Sequence, residues 1–74
     1  MIIKIYSKDN CIYCEKAKDL LKQMNLEYTE LKIGEHLTRE RFFVENPNAK
    51  TVPQIWFDDK LIGGYDALLT QFSD

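Results

Sequence analysis

Residues 2–24 read IIKIYSKDNCIYCEKAKDLLKQM, and the change of period inside this stretch decides the fold. Ile2 to Tyr6 are β-branched or aromatic around a single lysine, and Ser7-Lys8-Asp9-Asn10 follows as a turn-forming loop. That is the pattern of a buried strand over residues 2–6. From about Ile12 the apolar residues recur at helical spacing. Cys14, Ala17, Leu20, Leu21 and Met24 form one stripe, while Glu15, Lys16, Lys18, Asp19, Lys22 and Gln23 fall on the other faces. Asn25 tolerates the left-handed conformation and is a suitable stop. Both cysteines of the chain, Cys11 and Cys14, sit where the strand gives way to the helix.

Leu26 to Ile33 carries Leu26, Tyr28, Leu31 and Ile33 among polar residues and reads as a second strand. A strand, a helix and a strand at this spacing form a βαβ unit with parallel strands and a right-handed crossover. After the loop Gly34-Glu35-His36, Thr38 can cap a helix through Arg39 to Glu45, ended by Asn46-Pro47, with Phe42 and Phe43 docking it on the sheet. Gln54-Ile55-Trp56-Phe57 and Leu61-Ile62, joined by Asp58-Asp59-Lys60, read as a hairpin. Gly63-Gly64 breaks the second run. Tyr65 to Phe72 is a final helix with Leu68, Leu69 and Phe72 on one side; Trp56 and Met24 are assigned to the core. The order is β-α-β-α-β-β-α, an α/β chain expected to form one domain over residues 1–74.

A chain of 74 residues lies near the lower limit for a self-sufficient core. Its 45% hydrophobic and 30% charged content are those of an ordinary globular protein. With a net charge of −2 and no basic cluster, a dedicated nucleic-acid partner is not expected. No apolar run approaches the roughly 20 residues of a membrane span, so no membrane partner is expected either. The start reads as a strand and not as a secretory leader, so a cytoplasmic setting is the expectation, and a monomer with it. In that compartment two neighbouring cysteines more often do chemistry or hold metal than staple a fold. The loop they would close is also too small to remove much entropy from the unfolded chain.

The thiolate is the reactive form of cysteine. Cys11 falls at the first turn of the helix, where unpaired N–H groups and the helix dipole favour negative charge. Such settings lower a cysteine pKa from about 8.5 into roughly 3.5–7.5. Lys8 can add a positive charge from the same loop. Cys14 lies on the inward stripe with Ala17 and Leu21. Cys11 is therefore read as the exposed nucleophile and Cys14 as the buried resolving partner. Three other readings compete: two unconnected core cysteines, a zinc site, and a metal or cluster shared between two chains. Zinc needs four ligands, and only His36 remains outside the pair among the usual nitrogen and sulfur donors.

Three separated motifs, in order, give the chain a resemblance to the glutaredoxins, which covers nearly its whole length. Cys11-Ile12-Tyr13-Cys14 resembles the family's Cys-Pro-Tyr-Cys, Thr51-Val52-Pro53 its Thr-Val-Pro loop, and Gly63-Gly64-Tyr65-Asp66 its Gly-Gly-x-Asp segment. The resemblance implies a thioredoxin-like fold with a four-stranded mixed sheet flanked by helices. It implies glutathione-dependent reduction of protein disulfides and glutathione mixed disulfides, with glutathione as reductant and co-substrate and no bound cofactor or metal. Pro53 would be cis, presenting the Val52 backbone to the cysteinyl part of glutathione. Gly64 would allow close approach, and the amides of Tyr65 and Asp66 would take the γ-glutamyl carboxylate. Lys8 and Arg39 would meet the glycine carboxylate, with Arg41 as the fallback, and Tyr13 would cover the ligand. Asp66 has a plainer reading as a helix cap.

Two positions depart from the pattern. Ile12 stands in place of proline at the first helical position, so the disulfide potential and the acidity of Cys11 are expected to differ from the usual case. Ala67 stands where many members carry a second acid, which weakens recognition of the glutathione amino group. Two further functions fit the same motifs. One is a redoxin served by thioredoxin reductase and donating to ribonucleotide reductase, itself also a candidate target of the leading reading. The other is an iron–sulfur carrier dimer built on Cys11.

Overall fold

The computed structural model describes residues 1–73. Strand β1 (Ile3–Ser7) leads into helix α1 (Ile12–Gln23), then β2 (Thr29–Lys32), α2 (Arg39–Glu45), β3 (Gln54–Phe57), β4 (Lys60–Gly63) and α3 (Tyr65–Gln71). The sheet order is β2-β1-β3-β4, with β1 parallel to β2 and antiparallel to β3, and β3 antiparallel to β4. This is the mixed four-stranded sheet and the element order expected, with the most buried strand, β1, in the interior.

Alternation along β1 assigns the two faces. Ile3 and Ile5, with Ile55 of β3, meet Ala17 and Leu21 of α1 and Leu68 of α3 in one buried cluster. Burying each of the larger side chains contributes about 1.5–3 kcal/mol. On the other face Tyr6 meets the edge of Phe42 from α2, ring centroids 5.8 Å apart. The α1 stripe therefore turns Cys14 inward, fully buried on the same face as Ala17 and Leu21.

Several expectations are corrected. Strand β1 runs one residue later than 2–6, because the Ile2 N–H and C=O bond instead to the Asp58 side chain and backbone, and Ser7 pairs with Lys32. Strand β2 is shorter than Leu26–Ile33; Leu26 and Tyr28 pack on the core from the connection before it. Lys60 belongs to β4, so the hairpin turn is Asp58-Asp59, with Asp58 at φ 53° making two residues sufficient. Met24 is 45% exposed and not core: as the C-cap of α1 it has left the helical path, so phase no longer directs its side chain. Phe43 and Leu69 are likewise exposed, since each follows the residue that docks its helix, Phe42 and Leu68, about 100° around the axis. Trp56 is half-buried, its Nε1 donating to Asn46 Oδ1 at 2.8 Å. Helix α3 ends at Gln71, one residue before Phe72. Asn25 does adopt the left-handed conformation, at φ 59°, and Thr38 caps α2.

Candidate active site

The end of β1 and the start of α1 place the two sulfurs. Cys11 is the N-cap of α1, extended at φ −119° and ψ 104°, and its Sγ accepts from the Cys14 N–H at 3.2 Å. That hydrogen bond favours negative charge on the Cys11 sulfur when the pair is reduced. Here the pair is joined as a disulfide, with the Cα atoms 5.2 Å apart, inside the range such a bond requires. Cys11 is half-buried at the surface and Cys14 is sealed beneath it. Cys11 is thus the more accessible sulfur and Cys14 the inward one, the difference in burial that helical phase had indicated.

The loop that delivers Cys11 is anchored at its base. Ser7 is buried, and its Oγ donates to Glu30 Oε2 at 2.6 Å; Lys18 from α1 reaches the same oxygen at 3.0 Å and Glu15 at 2.6 Å. Burial pushes the Glu30 carboxyl up, but hydrogen bonds from Ser7 and Lys18 and the charges of Lys18 and Lys32 outweigh it and hold the group below the usual range. Lys18 is held above its ordinary value, chiefly by its hydrogen bond to Glu15. Asp9 within the loop pairs with Lys32 of β2 at 3.3 Å.

Across from the cysteines the Val52–Pro53 peptide bond is cis, as the resemblance implied. Pro53 is buried, and the Val52 carbonyl oxygen lies 3.9 Å from Cys11 Sγ. Val52 belongs to no strand, and among the described residues its N–H and C=O make no backbone hydrogen bond. A backbone segment without backbone hydrogen-bond partners among the described residues therefore stands beside the Cys11 sulfur.

An open cleft of about 490 Å³ continues from this point. Tyr13, Thr51, Val52, Pro53, Gly64, Tyr65 and Asp66 all line it, so seven scattered candidates converge; Ala67 lines it too. Tyr13 and Tyr65 close one side with ring centroids 6.0 Å apart, and Lys16 sits 5.4 Å from the Tyr13 centroid. Gly63, not Gly64, has the backbone that favours glycine, at φ +124°, and a Cβ there would also lie 3.1 Å from Ala67. At Gly64 a Cβ would lie 3.6 Å from the Pro53 carbonyl oxygen, an ordinary van der Waals contact. Gly64 is the N-cap of α3, so Asp66 is not its cap.

Lys8 and Arg39 do not line that cleft. They line an adjoining hollow of about 110 Å³ that shares Thr51 and Val52 with it. Arg41 is elsewhere, bonded to Glu45 at 2.6 Å, so the choice between the two arginines falls to Arg39. Sequence reading missed Lys50, which lines the same hollow, and Phe43, whose ring lies 5.3 Å from the Arg39 guanidinium carbon. The available signals were Lys50's place directly before Thr51 and the four-residue spacing of Arg39 and Phe43.

The family model described as Glutaredoxin matches residues 3–62. Glutaredoxin 1 of Rickettsia conorii is 40% identical over 68 residues, which cover 89% of this chain and 67% of that protein. Glutaredoxin 3 of Escherichia coli is 36% identical over 66 residues, 89% of this chain and 80% of that one. Among solved structures, glutaredoxin 1 from Francisella tularensis complexed with cacodylate matches with a TM-score of 0.82 at 32% identity, covering 95% of this chain and 90% of that one.

Proposed function

The chain belongs to the glutaredoxin family and is a thiol–disulfide oxidoreductase, and from that premise we propose that glutathione is its reductant and co-substrate. The observation that carries the reading is the Val52 backbone, which among the described residues has no backbone hydrogen-bond partner and whose carbonyl oxygen lies 3.9 Å from Cys11 Sγ beside the cleft. Glutathione paired to Val52 as an added strand brings its sulfur to Cys11. Its γ-glutamyl end then lies toward Tyr65 and Asp66, and its glycine carboxylate toward Lys8, Arg39 and Lys50. Tyr13 covers it from the side.

In turnover the Cys11 thiolate attacks a disulfide sulfur, forming a mixed disulfide and releasing the other thiolate, which takes a proton from water. Cys14 then displaces the substrate sulfur from Cys11, leaving the Cys11–Cys14 disulfide seen here, or a second glutathione resolves the intermediate. Two glutathiones restore the dithiol and leave as oxidised glutathione. Protein disulfides and glutathionylated proteins are the substrates of this cycle, and the reducing cytoplasm is its setting. Incubation with oxidised glutathione followed by intact-mass measurement tests the reading. The Cys14→Ser variant is expected to hold one glutathione on Cys11, and the wild type an internal disulfide. A Cys14→Ser protein that gains no adduct would contradict it.

A further inference from the structure

The site is electrically polarised along one short piece of backbone. On the Lys50 side of Val52 the hollow is lined by Lys8, Arg39 and Lys50 with uncharged residues, and by no carboxylate. Among the described residues none of these three cations is in an ion pair. On the Pro53 side the larger cleft is lined by one acidic residue, Asp66, and by no cation, although Lys16 lies over the outer Tyr13 ring at 5.4 Å. Three neighbouring positive charges without a counter-ion attract an anion and repel a further cation.

Backbone direction turns this polarity into a rule about substrates. A cysteine that exchanges both its N–H and its C=O with Val52 must lie antiparallel to it. The chain passes from Lys50 through Val52 to Pro53, so the residue after such a cysteine is carried toward the three cations. The residue before it is carried toward Pro53 and Asp66. Resting on the Val52 pairing proposed for glutathione, we infer that this chain selects protein disulfides in which the attacked cysteine is followed by an acidic residue. The Cys11 thiolate bonds to the sulfur of that cysteine and the partner sulfur leaves as a thiolate, protonated by water. Cys14 then bonds to Cys11 and frees the second thiol. The substrate disulfide gains two electrons and the Cys11/Cys14 pair loses two.

Disulfide-linked dimers of three blocked tetrapeptides test the rule: Gly-Cys-Asp-Ala, Gly-Cys-Asn-Ala and Asp-Cys-Asn-Ala. Each is reduced by the pre-reduced protein in a single turnover. Each rate is divided by the rate with dithiothreitol, which removes intrinsic differences in thiol reactivity. At low salt the Cys-Asp peptide is expected to react about five- to tenfold faster than Cys-Asn, as fits a few solvent-exposed charge contacts. The preference should shrink as salt rises and should be lost in the double variant Arg39→Gln, Lys50→Gln. Equal corrected rates for Cys-Asp and Cys-Asn would overturn the inference, as would an equal gain from aspartate placed before the cysteine. The glutathione adduct on Cys14→Ser separates the two readings. A Cys-Asp preference without the adduct strikes the glutathione reading alone, and the adduct without the preference strikes this one alone.

Discussion

Ile12 is the first residue of α1 and its side chain is 73% exposed, so it packs on nothing that a smaller group would leave empty. Proline suits this position, because the first helical N–H has no intrahelical partner and the ring fixes a helical φ. The residue before a proline must be extended, and Cys11 already is, at φ −119° and ψ 104°. Ile12→Pro is therefore expected to fold unchanged and to be more stable by about 0.4–1 kcal/mol, through a stiffer unfolded chain. Thermal unfolding of the two proteins in the same redox state checks this; a rise of a few degrees is expected for a domain of this size. A fall in Tm would mean that the helix start needs the Ile12 N–H or its side chain. Cys11 and Cys14, three residues apart, differ in burial for a reason equally local: the N-cap projects from the helix end and the third helical residue faces inward.

The elements are tied to one another by polar contacts that also fix the site. Glu30 of β2 receives Ser7 from the end of β1 and Lys18 from α1, so one carboxylate joins three elements beneath the Cys11 loop. Asn46 does the same for α2: its side chain donates to the Phe42 carbonyl and accepts from Trp56 of β3, where the chain departs toward Lys50 and Val52. Glu45 accepts from Tyr6 and Arg41, which hold its carboxyl below the usual range. Glu30 and Glu45 thus both ionise more readily in the folded chain than in the unfolded one. Their stabilisation is present above the ordinary glutamate value of 4.5 and is lost as pH falls through and below it. Tm is expected to drop between about pH 5 and pH 3. Glu30→Gln should start lower at pH 7 and fall less steeply, keeping the part due to Glu45. A Glu30→Gln protein with the wild-type acid slope would remove Glu30 from this role.

At the scale of the molecule, local pattern carried most of the architecture. The strand-to-helix change of period at Cys11, the Asn25 stop and the Thr38 cap all lie where short-range rules put them. Side chains next to a docking residue were not legible in the same way. Phe43 and Leu69 look as apolar as Phe42 and Leu68, and only the seating of each short helix decides which turns inward. The cleft residues were legible through motifs and not through physics, since Tyr13, Val52 and Tyr65 meet only after β3 has been laid beside β1. Lys50 escaped because a lone lysine in a loop carries no periodic signal; its role depends on sharing a hollow with Lys8 and Arg39. What the assembled fold adds is an order of access, with Cys11 at the mouth and Cys14 behind it. Turnover of a small glutathione mixed disulfide, with glutathione and glutathione reductase in excess, tests that order most directly. Cys14→Ser is expected to retain activity because a second glutathione resolves Cys11, while Cys11→Ser should have none. Activity in Cys11→Ser with none in Cys14→Ser would contradict the account.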